Sequence, residues 1–305
     1  MEFRVFFPPA AGDGAGTVPG AGGDTAAPAA ATPPVPALIF LSGLTCTPAN
    51  ASEKAATALA AAAGAGLALV FPDTSPRGLG VAGEEEAWDL GTGAGFYLDA
   101  TQAPWVSSEG GGEPTGYRMF TYVTRDLIGA LNALGGCLDT TRLGVTGHSM
   151  GGHGALVAGL KRPDLFASVS ALSPIAHPSA CPWGVKAFGA YLGGNAGGGE
   201  GSTPSAWADW DATALVAAYA GPPRAFLIDV GTADEFLAAG QLRCADFAAA
   251  AATEAAGGVG GGSGGGVVSV ELREQPGYDH SYFFIASFIA DHVAHHAKVL
   301  VSGGK

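Results

Sequence analysis

Cysteine is scarce in this sequence, which has four cysteines among 305 residues and no Cys-x-x-Cys pair. Neither a disulfide framework nor a cysteine-based zinc site is therefore expected, and a reducing, cytoplasmic environment is the natural interpretation. Basic residues are also few, because 14 lysines and arginines stand against 27 aspartates and glutamates, for a net charge of −13. Such a surface repels a polyanion, so nucleic acid is not an expected partner.

No segment of the sequence is suited to crossing a membrane or to export. The uncharged run Ala55–Pro72 is close to spanning length, but it is mostly alanine and is interrupted by Gly64 and Gly66, so we interpret it as a helix, a turn and a strand. The first residues, MEFRVFF, lead directly into two prolines and lack the basic, apolar and cleavage-site regions of a signal peptide.

Glycine and alanine, by contrast, are abundant and are concentrated in three low-complexity stretches, Pro8–Pro36, Gly193–Thr203 and Gly257–Gly266. Segments of this composition cannot bury enough apolar surface to offset the entropy of ordering them. We expect them to be inserts in a single domain of residues 1–305, because the segment after the last of them is too short for a second domain.

Between the inserts, β-branched and aromatic runs alternate with helical patterns. This alternation predicts an α/β fold, a mostly parallel sheet with helices on both faces. The predicted strands are Phe3–Phe7, Ala37–Leu41, Leu67–Phe71, Arg142–Thr146, Ser168–Leu172, Ala225–Val230 and Val267–Leu272. The predicted helices are Pro48–Ala63, Arg118–Leu134, Gly152–Lys161, Glu235–Ala255 and Ser281–Val299.

A Gly-x-Ser-x-Gly motif, GHSMG, places Ser149 between a predicted strand and a predicted helix. That context is typical of a nucleophile elbow, a sharp turn at which the serine adopts strained backbone angles and small neighbours let the chains pass. A serine hydroxyl needs a neighbouring base to become a nucleophile. The motif therefore predicts a serine hydrolase of the α/β-hydrolase fold.

In that fold the acid and the histidine follow the nucleophile in this order, each after a later strand. Asp234 comes just after the strand FLIDVG, and His280 lies in the loop after the strand VVSVELRE. We therefore predict the catalytic set Ser149, Asp234 and His280. Asp229 lies inside its strand and is interpreted as structural, whereas Asp279 is the competing acid and is otherwise expected to cap the last helix.

Two backbone amides are needed to stabilise the oxyanion of an acyl-transfer reaction. Met150 directly follows the nucleophile at the start of a helix, and Leu44 lies in the loop after the strand LIFL. We predict that these two residues supply the amides.

Seven local motifs occur in one order along the chain, and together they resemble the S-formylglutathione hydrolase family, also known as esterase D. The motifs are FLSGLTCT, FPDTSPRG, GTGAGFYLDAT, YRMFTYVT, GHSMGGHGAL, PWGVKAF and GYDHSYFFI. The resemblance implies a cytosolic serine hydrolase without a cofactor or metal. It also implies cleavage of S-formylglutathione to formate and glutathione in formaldehyde detoxification, and a homodimer.

The resemblance places the family's nucleophile, acid and base on Ser149, Asp234 and His280, and its oxyanion amides on Leu44 and Met150. The sequence departs from the family at two motifs near the acid. IDQG appears as Ile228–Gly231 with valine at position 230, and QLLP appears as Gln241–Cys244, which reads QLRC. These differences concern substrate affinity more than the chemistry.

Cys46, beside the predicted oxyanion loop, resembles the family's cysteine near the active site, and a small buried residue is the alternative interpretation. Trp183 is predicted to line the substrate pocket because PWG is interpreted as an irregular segment, while Trp88 and Trp105 are candidates for the pocket or the core. The remaining cluster is His292, His295 and His296, which we interpret as a solvent-exposed face of the last helix and not as a metal site.

Three functions are compatible with these residues. The first is a thioesterase for S-formylglutathione, and the second is a broad carboxylesterase or acyltransferase, because fold and catalytic residues do not name a substrate. The third is a non-catalytic interaction protein, which the intact Ser, Asp and His set argues against.

Overall fold

Seven strands form one sheet in the computed structural model, which describes residues 1–9, 33–107, 112–134, 136–194, 205–256 and 268–301. These strands are β1 (Phe3–Phe6), β2 (Val35–Leu41), β3 (Ala68–Pro72), β6 (Leu138–Gly147), β7 (Phe166–Leu172), β8 (Arg224–Gly231) and β9 (Val268–Gln275), while β4 (Val106–Ser107) and β5 (Thr115–Gly116) form a separate hairpin. Their order in the sheet is β1, β3, β2, β6, β7, β8, β9. Every neighbouring pair is parallel except β1 and β3, which are antiparallel. The predicted α/β class is confirmed.

The sheet is buried on both faces, as the side chains of β2 show. Ala37, Ile39 and Leu41 belong to one hydrophobic cluster, and Leu38 and Phe40 belong to the other. Successive side chains of a strand point to opposite faces, so a strand that is apolar throughout needs cover on both sides.

Helices provide this cover on each face. The described helices are α1 (Pro48–Lys54), α2 (Ala56–Ala65), α3 (Met119–Thr121), α4 (Leu127–Asn132), α5 (Met150–Lys161), α6 (Pro182–Leu192), α7 (Ser205–Ala208), α8 (Ala212–Ala217), α9 (Glu235–Ala238), α10 (Cys244–Ala256) and α11 (Tyr282–Leu300). On one face α2 packs against α11, and on the other α5, α8 and α10 pack against the sheet and one another. A π-helical segment, Tyr122–Asp126, joins α3 to α4.

All seven predicted strands are present, although Val267, the predicted first residue of the last strand, lies outside the described residues. Two helices that were predicted to be continuous are each interrupted. The first is interrupted at Ala55, which is fully buried and has a non-helical φ of −99° and ψ of 49°. The second is interrupted between α9 and α10, where Gly240 and Arg243 adopt positive φ angles of 72° and 50° and turn the chain.

The helix α6 was not predicted. Pro182 occupies its first turn, where the fixed φ of proline and its missing N–H suit a helix start. The interpretation of PWG as an irregular segment is therefore wrong, because proline here begins a helix.

The predicted inserts lie mostly outside the described residues, at 10–32, 195–203 and 257–266. Val35 and Pro36, which were assigned to the first insert, belong to β2. Within the part of the chain that the structure describes, no helix combines the length and hydropathy of a membrane span.

Candidate active site

Ser149 lies at the sharp turn between β6 and α5, with φ of 59° and ψ of −119°. A positive φ is unfavourable for any residue with a side chain, so the surrounding structure must hold this one in place. The two glycines of the motif allow the close approach that does so. A Cβ on Gly151 would lie 2.0 Å from the carbonyl oxygen of Leu41, and one on Gly147 would lie 2.2 Å from that of Gly151.

The loop after β8 positions Asp234 as the N-cap of α9. Its Oδ1 accepts hydrogen bonds from the amides of Phe236 and Leu237 at 2.9 and 3.3 Å, and its Oδ2 lies 2.6 Å from Nδ1 of His280. Burial opposes ionisation of Asp234, but the hydrogen bond and charge of His280 and the two amides outweigh it and hold the pKa of this carboxyl below its ordinary value. Asp234 is therefore a carboxylate that accepts a hydrogen bond from Nδ1–H of His280.

Asp279, the competing acid, faces a different group. Its Oδ1 accepts a hydrogen bond from the amide of Ser281 at 3.0 Å. The expectation that Asp279 caps the last helix is wrong, because Ser281 is the N-cap of α11 and its hydroxyl accepts from the amide of Phe283.

Ser149 and His280 line one cavity of about 230 Å³. Of the other predicted site residues, Leu44, Cys46 and Trp183 line it as well, so the structure brings these together. The full lining is Gly43, Leu44, Cys46, Trp88, His148, Ser149, Trp183, Phe236, His280 and Tyr282.

The two residues predicted to supply oxyanion amides come from different elements. Met150 is the first residue of α5, so its N–H has no partner within that helix and is directed outward. Leu44 is in the loop after β2. The residue that follows it, Thr45, has a φ of 66°, and its amide donates a hydrogen bond to the carbonyl oxygen of Gly93 at 2.9 Å. This bond anchors the loop beside the cavity.

Cys46 is partly buried, with Sγ 3.6 Å from the hydroxyl oxygen of Tyr282. Burial raises the pKa of this thiol, against the lowering effects of Tyr282 and of the positive charge on Lys54. The thiol is therefore mostly protonated at neutral pH, and its reactivity is correspondingly reduced.

Three aromatic rings form a wall that ends at His280. Trp88 and Trp183 meet edge to face at 5.7 Å between centroids, and Trp183 contacts Phe236 at 4.7 Å. Phe236 in turn meets the ring of His280 at 4.8 Å. Trp105 is not part of this wall, because it packs in the core against Tyr117 and Tyr191.

His148 is a site residue to which sequence analysis assigned no role. It is 8% exposed, and its ring centroid lies 4.3 Å from that of His280. Burial and the proximity of His280 lower the pKa of His148 well below its ordinary value, so it is neutral. Its position directly before Ser149 was visible in the sequence, but its contact with His280 joins residues that are far apart in the chain.

The predicted exposed face of histidines is wrong. His292 and His296 are fully buried, and their Nε2 atoms lie 3.0 Å from Oδ2 of Asp229 and 2.9 Å from Oγ of Ser170. His295 is half-buried, with Nε2 3.1 Å from the carbonyl oxygen of Val169. The helix crosses beneath the sheet, and these histidines meet polar groups of its strands. Among the described residues, no group of three or more histidine, cysteine or acidic side chains is placed to hold a metal ion.

Comparisons with known proteins identify the family of this chain. The Esterase family model matches residues 28–295 of the chain. The S-formylglutathione hydrolase of Rattus norvegicus is 46% identical over 273 residues, which cover 90% of this chain and 86% of that protein. The chain belongs to the S-formylglutathione hydrolase family. The resemblance carried by the seven sequence motifs is thereby confirmed.

Other members of this family give the same result. The S-formylglutathione hydrolase of Arabidopsis thaliana is 41% identical over 300 residues, covering 98% of this chain and 88% of that protein. A solved structure of an S-formylglutathione hydrolase from Agrobacterium tumefaciens superimposes with a TM-score of 0.76 at 40% identity, and the match covers 98% of this chain and 89% of that one.

The residues that depart from the family pattern lie close to the site. Val230 is buried in β8. Gln241, which the chain retains, accepts a hydrogen bond from the amide of Trp183 at 3.0 Å through Oε1. Arg243 pairs with Asp246 at 3.2 Å, and Cys244 is buried with its thiol 3.5 Å from the carbonyl oxygen of Pro174. Gln241 thereby links this segment to the backbone of Trp183.

Proposed function

We propose that this member of the S-formylglutathione hydrolase family cleaves S-formylglutathione to formate and glutathione, with Ser149 as nucleophile, His280 as base and Asp234 as the carboxylate that orients His280. The observation that carries the proposal is the 2.6 Å contact between Oδ2 of Asp234 and Nδ1 of His280, on a histidine that lines the same cavity as Ser149.

In the first half-reaction, Oγ of Ser149 attacks the thioester carbonyl carbon while Nε2 of His280 accepts the hydroxyl proton. Asp234 accepts the hydrogen bond from Nδ1–H, which selects the tautomer with a free Nε2 and stabilises the imidazolium. The carbonyl oxygen becomes an oxyanion that accepts hydrogen bonds from the amides of Leu44 and Met150. The C–S bond then breaks, and glutathione leaves with the proton from His280.

In the second half-reaction, water replaces the thiol. His280 accepts a proton from water as its oxygen attacks the formyl ester on Ser149, and the same two amides stabilise the second oxyanion. Collapse releases formate and returns the proton to Oγ of Ser149. In the first half-reaction the leaving group is a thiolate, which departs readily, so attack and oxyanion stabilisation dominate the barrier of that step.

A comparison of substrates tests the proposal. The purified protein is assayed with S-formylglutathione, through the loss of thioester absorbance, and with p-nitrophenyl acetate. We expect kcat/KM to be far higher for S-formylglutathione. A higher value for the nitrophenyl ester would favour a broad carboxylesterase, for which the wall of Trp88, Trp183 and Phe236 offers apolar contact to a larger acyl group. Turnover of neither would favour a non-catalytic protein.

We further propose a cytoplasmic homodimer, with each chain forming one domain. The family resemblance supports the dimer, and four free cysteines support a reducing compartment. Light scattering on the eluate of a sizing column measures the mass in solution, and a monomer mass at micromolar concentration would contradict the dimer.

A further inference from the structure

Lys54 is an exposed cation that lies over the ring of a cavity residue, Tyr282. It is the last residue of α1, and its Nζ lies 5.2 Å from the centroid of the Tyr282 ring. Tyr282 lines the cavity together with Ser149 and His280. In the described parts of the chain, no salt bridge includes Lys54.

The other two cations near the cavity already have partners. Lys186, on the side of the aromatic wall, pairs with Asp89. Arg77 pairs with Asp73 at 2.8 Å and also donates to the carbonyl of Cys46 at 3.0 Å. Lys54 can therefore take an incoming anion without breaking an ion pair of the described residues.

The charge of Lys54 also acts within the cavity. Burial raises the pKa of the Cys46 thiol, and Lys54 is the strongest of the charged groups that oppose this rise. Since Cys46 lines the cavity, a negative group bound there lies within the field of the same ammonium.

A neighbouring cleft carries the other sign. Glu235 and Asp279 line a cleft that continues from the cavity past Phe236 and His280. The molecule as a whole carries a net charge of −13, so an anionic substrate is repelled in general and by this cleft in particular. Lys54 therefore offers an unpaired positive charge beside Tyr282.

Glutathione is a tripeptide with two carboxylates and one ammonium group, so S-formylglutathione carries a net negative charge at neutral pH. Building on the function proposed above, we propose that Lys54 binds a carboxylate of the glutathionyl group and thereby makes the site selective for anionic thioesters over neutral esters. Lys54 acts on substrate binding and takes no part in the bond changes at Ser149.

The test compares Lys54→Gln and Lys54→Glu with wild type on S-formylglutathione and on p-nitrophenyl acetate. Because exposed ion pairs are weak, we expect KM for S-formylglutathione to rise by about fivefold in Lys54→Gln and about tenfold in Lys54→Glu, with kcat nearly unchanged. For the neutral ester, kcat/KM stays within about twofold. Added salt raises KM for the thioester more in wild type than in Lys54→Gln, because only wild type has an attraction to Lys54 for salt to screen.

Lys298→Glu is the matched control. Lys298 also lacks a salt bridge among the described residues and is exposed, and it lies in the same helix as Tyr282, roughly 24 Å further along the axis. This variant makes the same change in net charge as Lys54→Glu, and it should leave KM for both substrates unchanged. Circular dichroism and thermal unfolding establish that each variant is folded.

The outcomes separate this proposal from the proposed function. If wild type hydrolyses S-formylglutathione and both Lys54 variants keep its KM, Lys54 does not bind the substrate and the proposal is wrong. An equal rise in KM for the neutral ester, or an equal effect of Lys298→Glu, would also overturn it. Failure of wild type to hydrolyse S-formylglutathione would overturn the proposed function, and this assignment with it.

Discussion

The side chain of Ser149 contributes one oxygen atom to the site and little to packing. Its replacement should therefore change kcat without changing the stability of the fold. We expect Ser149→Ala to reduce kcat by a factor on the order of 10⁴ to 10⁶, because attack on the carbonyl requires Oγ. The melting temperature should stay within a few degrees of wild type. Steady-state kinetics on S-formylglutathione measures the loss, and activity within about tenfold of wild type would reassign the nucleophile.

The two neighbouring aspartates are distinguished by their hydrogen bonds. Asp234 contacts Nδ1 of His280, whereas Asp279 bonds to the amide of Ser281. Asp234→Asn should reduce kcat by a factor on the order of 10⁴, because an amide favours the wrong tautomer of His280. Asp279→Asn, the matched control, should keep most of the activity, and the reverse result would make Asp279 the acid.

His148 is predicted to hold His280 in place through ring contact. One hydrogen bond to Asp234 fixes one edge of the imidazole, and the His148 ring at 4.3 Å limits its remaining motion. Because small displacements of a catalytic group are costly, His148→Ala should lower kcat about ten- to a hundredfold with KM nearly unchanged.

The variant His148→Phe provides the matched control for this prediction. Phenylalanine keeps an uncharged ring at the same place and should retain kcat within about threefold of wild type. If His148→Ala and His148→Phe lose kcat equally, ring contact is not the role of His148, and if both retain it, the residue does not position His280.

At the scale of the elements, a buried polar network joins β8, β9 and α11. Asp229 in β8 is fully buried, and it accepts hydrogen bonds from Nε of Arg273 at 2.7 Å and from Gln275 at 3.0 Å, both in β9, while His292 of α11 contacts it at 3.0 Å. Burial alone would favour the neutral acid, but these partners lower the pKa of Asp229 to about 2. The carboxylate is thus the form that the fold stabilises.

This pKa has a defined effect on acid stability. In an unfolded chain the pKa of aspartate is about 3.9, so the ionised form stabilises the fold above that value and the stabilisation is lost as pH falls through about 2. Asp229→Asn should lower the free energy of unfolding by about 3 kcal/mol at pH 7, because Arg273 loses its buried partner. Urea titrations at several pH values measure the free energy of unfolding at pH 7 and its decrease at acid pH. If that decrease between about pH 4 and pH 2 is the same in Asp229→Asn as in wild type, the assignment to Asp229 is wrong.

The interruptions of the helices are features that local sequence patterns do not predict. The alanine-rich run before β3 has high helix propensity throughout, yet it bends at Ala55 so that α2 can pack against α11. Likewise, Arg243 adopts a left-handed conformation that few non-glycine residues take. Both depend on packing partners that are distant in sequence.

At the scale of the whole molecule, the two hydrophobic clusters share the strands of one sheet. Alternate residues of β2, such as Ile39 and Phe40, belong to opposite clusters. Neither cluster can unfold without exposing the other, so we expect a single cooperative thermal transition, as one domain requires. Far-ultraviolet circular dichroism and tryptophan fluorescence should give coincident curves, and two separated transitions would contradict the single domain.

Much of this protein follows from its sequence by itself. The strands could be predicted because each is a short apolar run that must be buried on both faces, and GHSMG between a strand and a helix indicates the elbow. Asp234 and His280 could be selected by chain order, since the carboxyl ends of parallel strands meet at one edge of the sheet. Family membership likewise rests on local motifs.

Tertiary structure alone decided the surroundings of those residues. The contact of His148 with His280, the position of Lys54 over Tyr282 and the burial of His292 beneath the sheet each join residues far apart in the chain. A local pattern records propensity and periodicity, whereas burial, charge environment and ring contact depend on which distant elements pack together. For that reason the sequence determined which residues are candidates for the chemistry, and the packing of α11 and the loop after β9 decided which groups line the cavity.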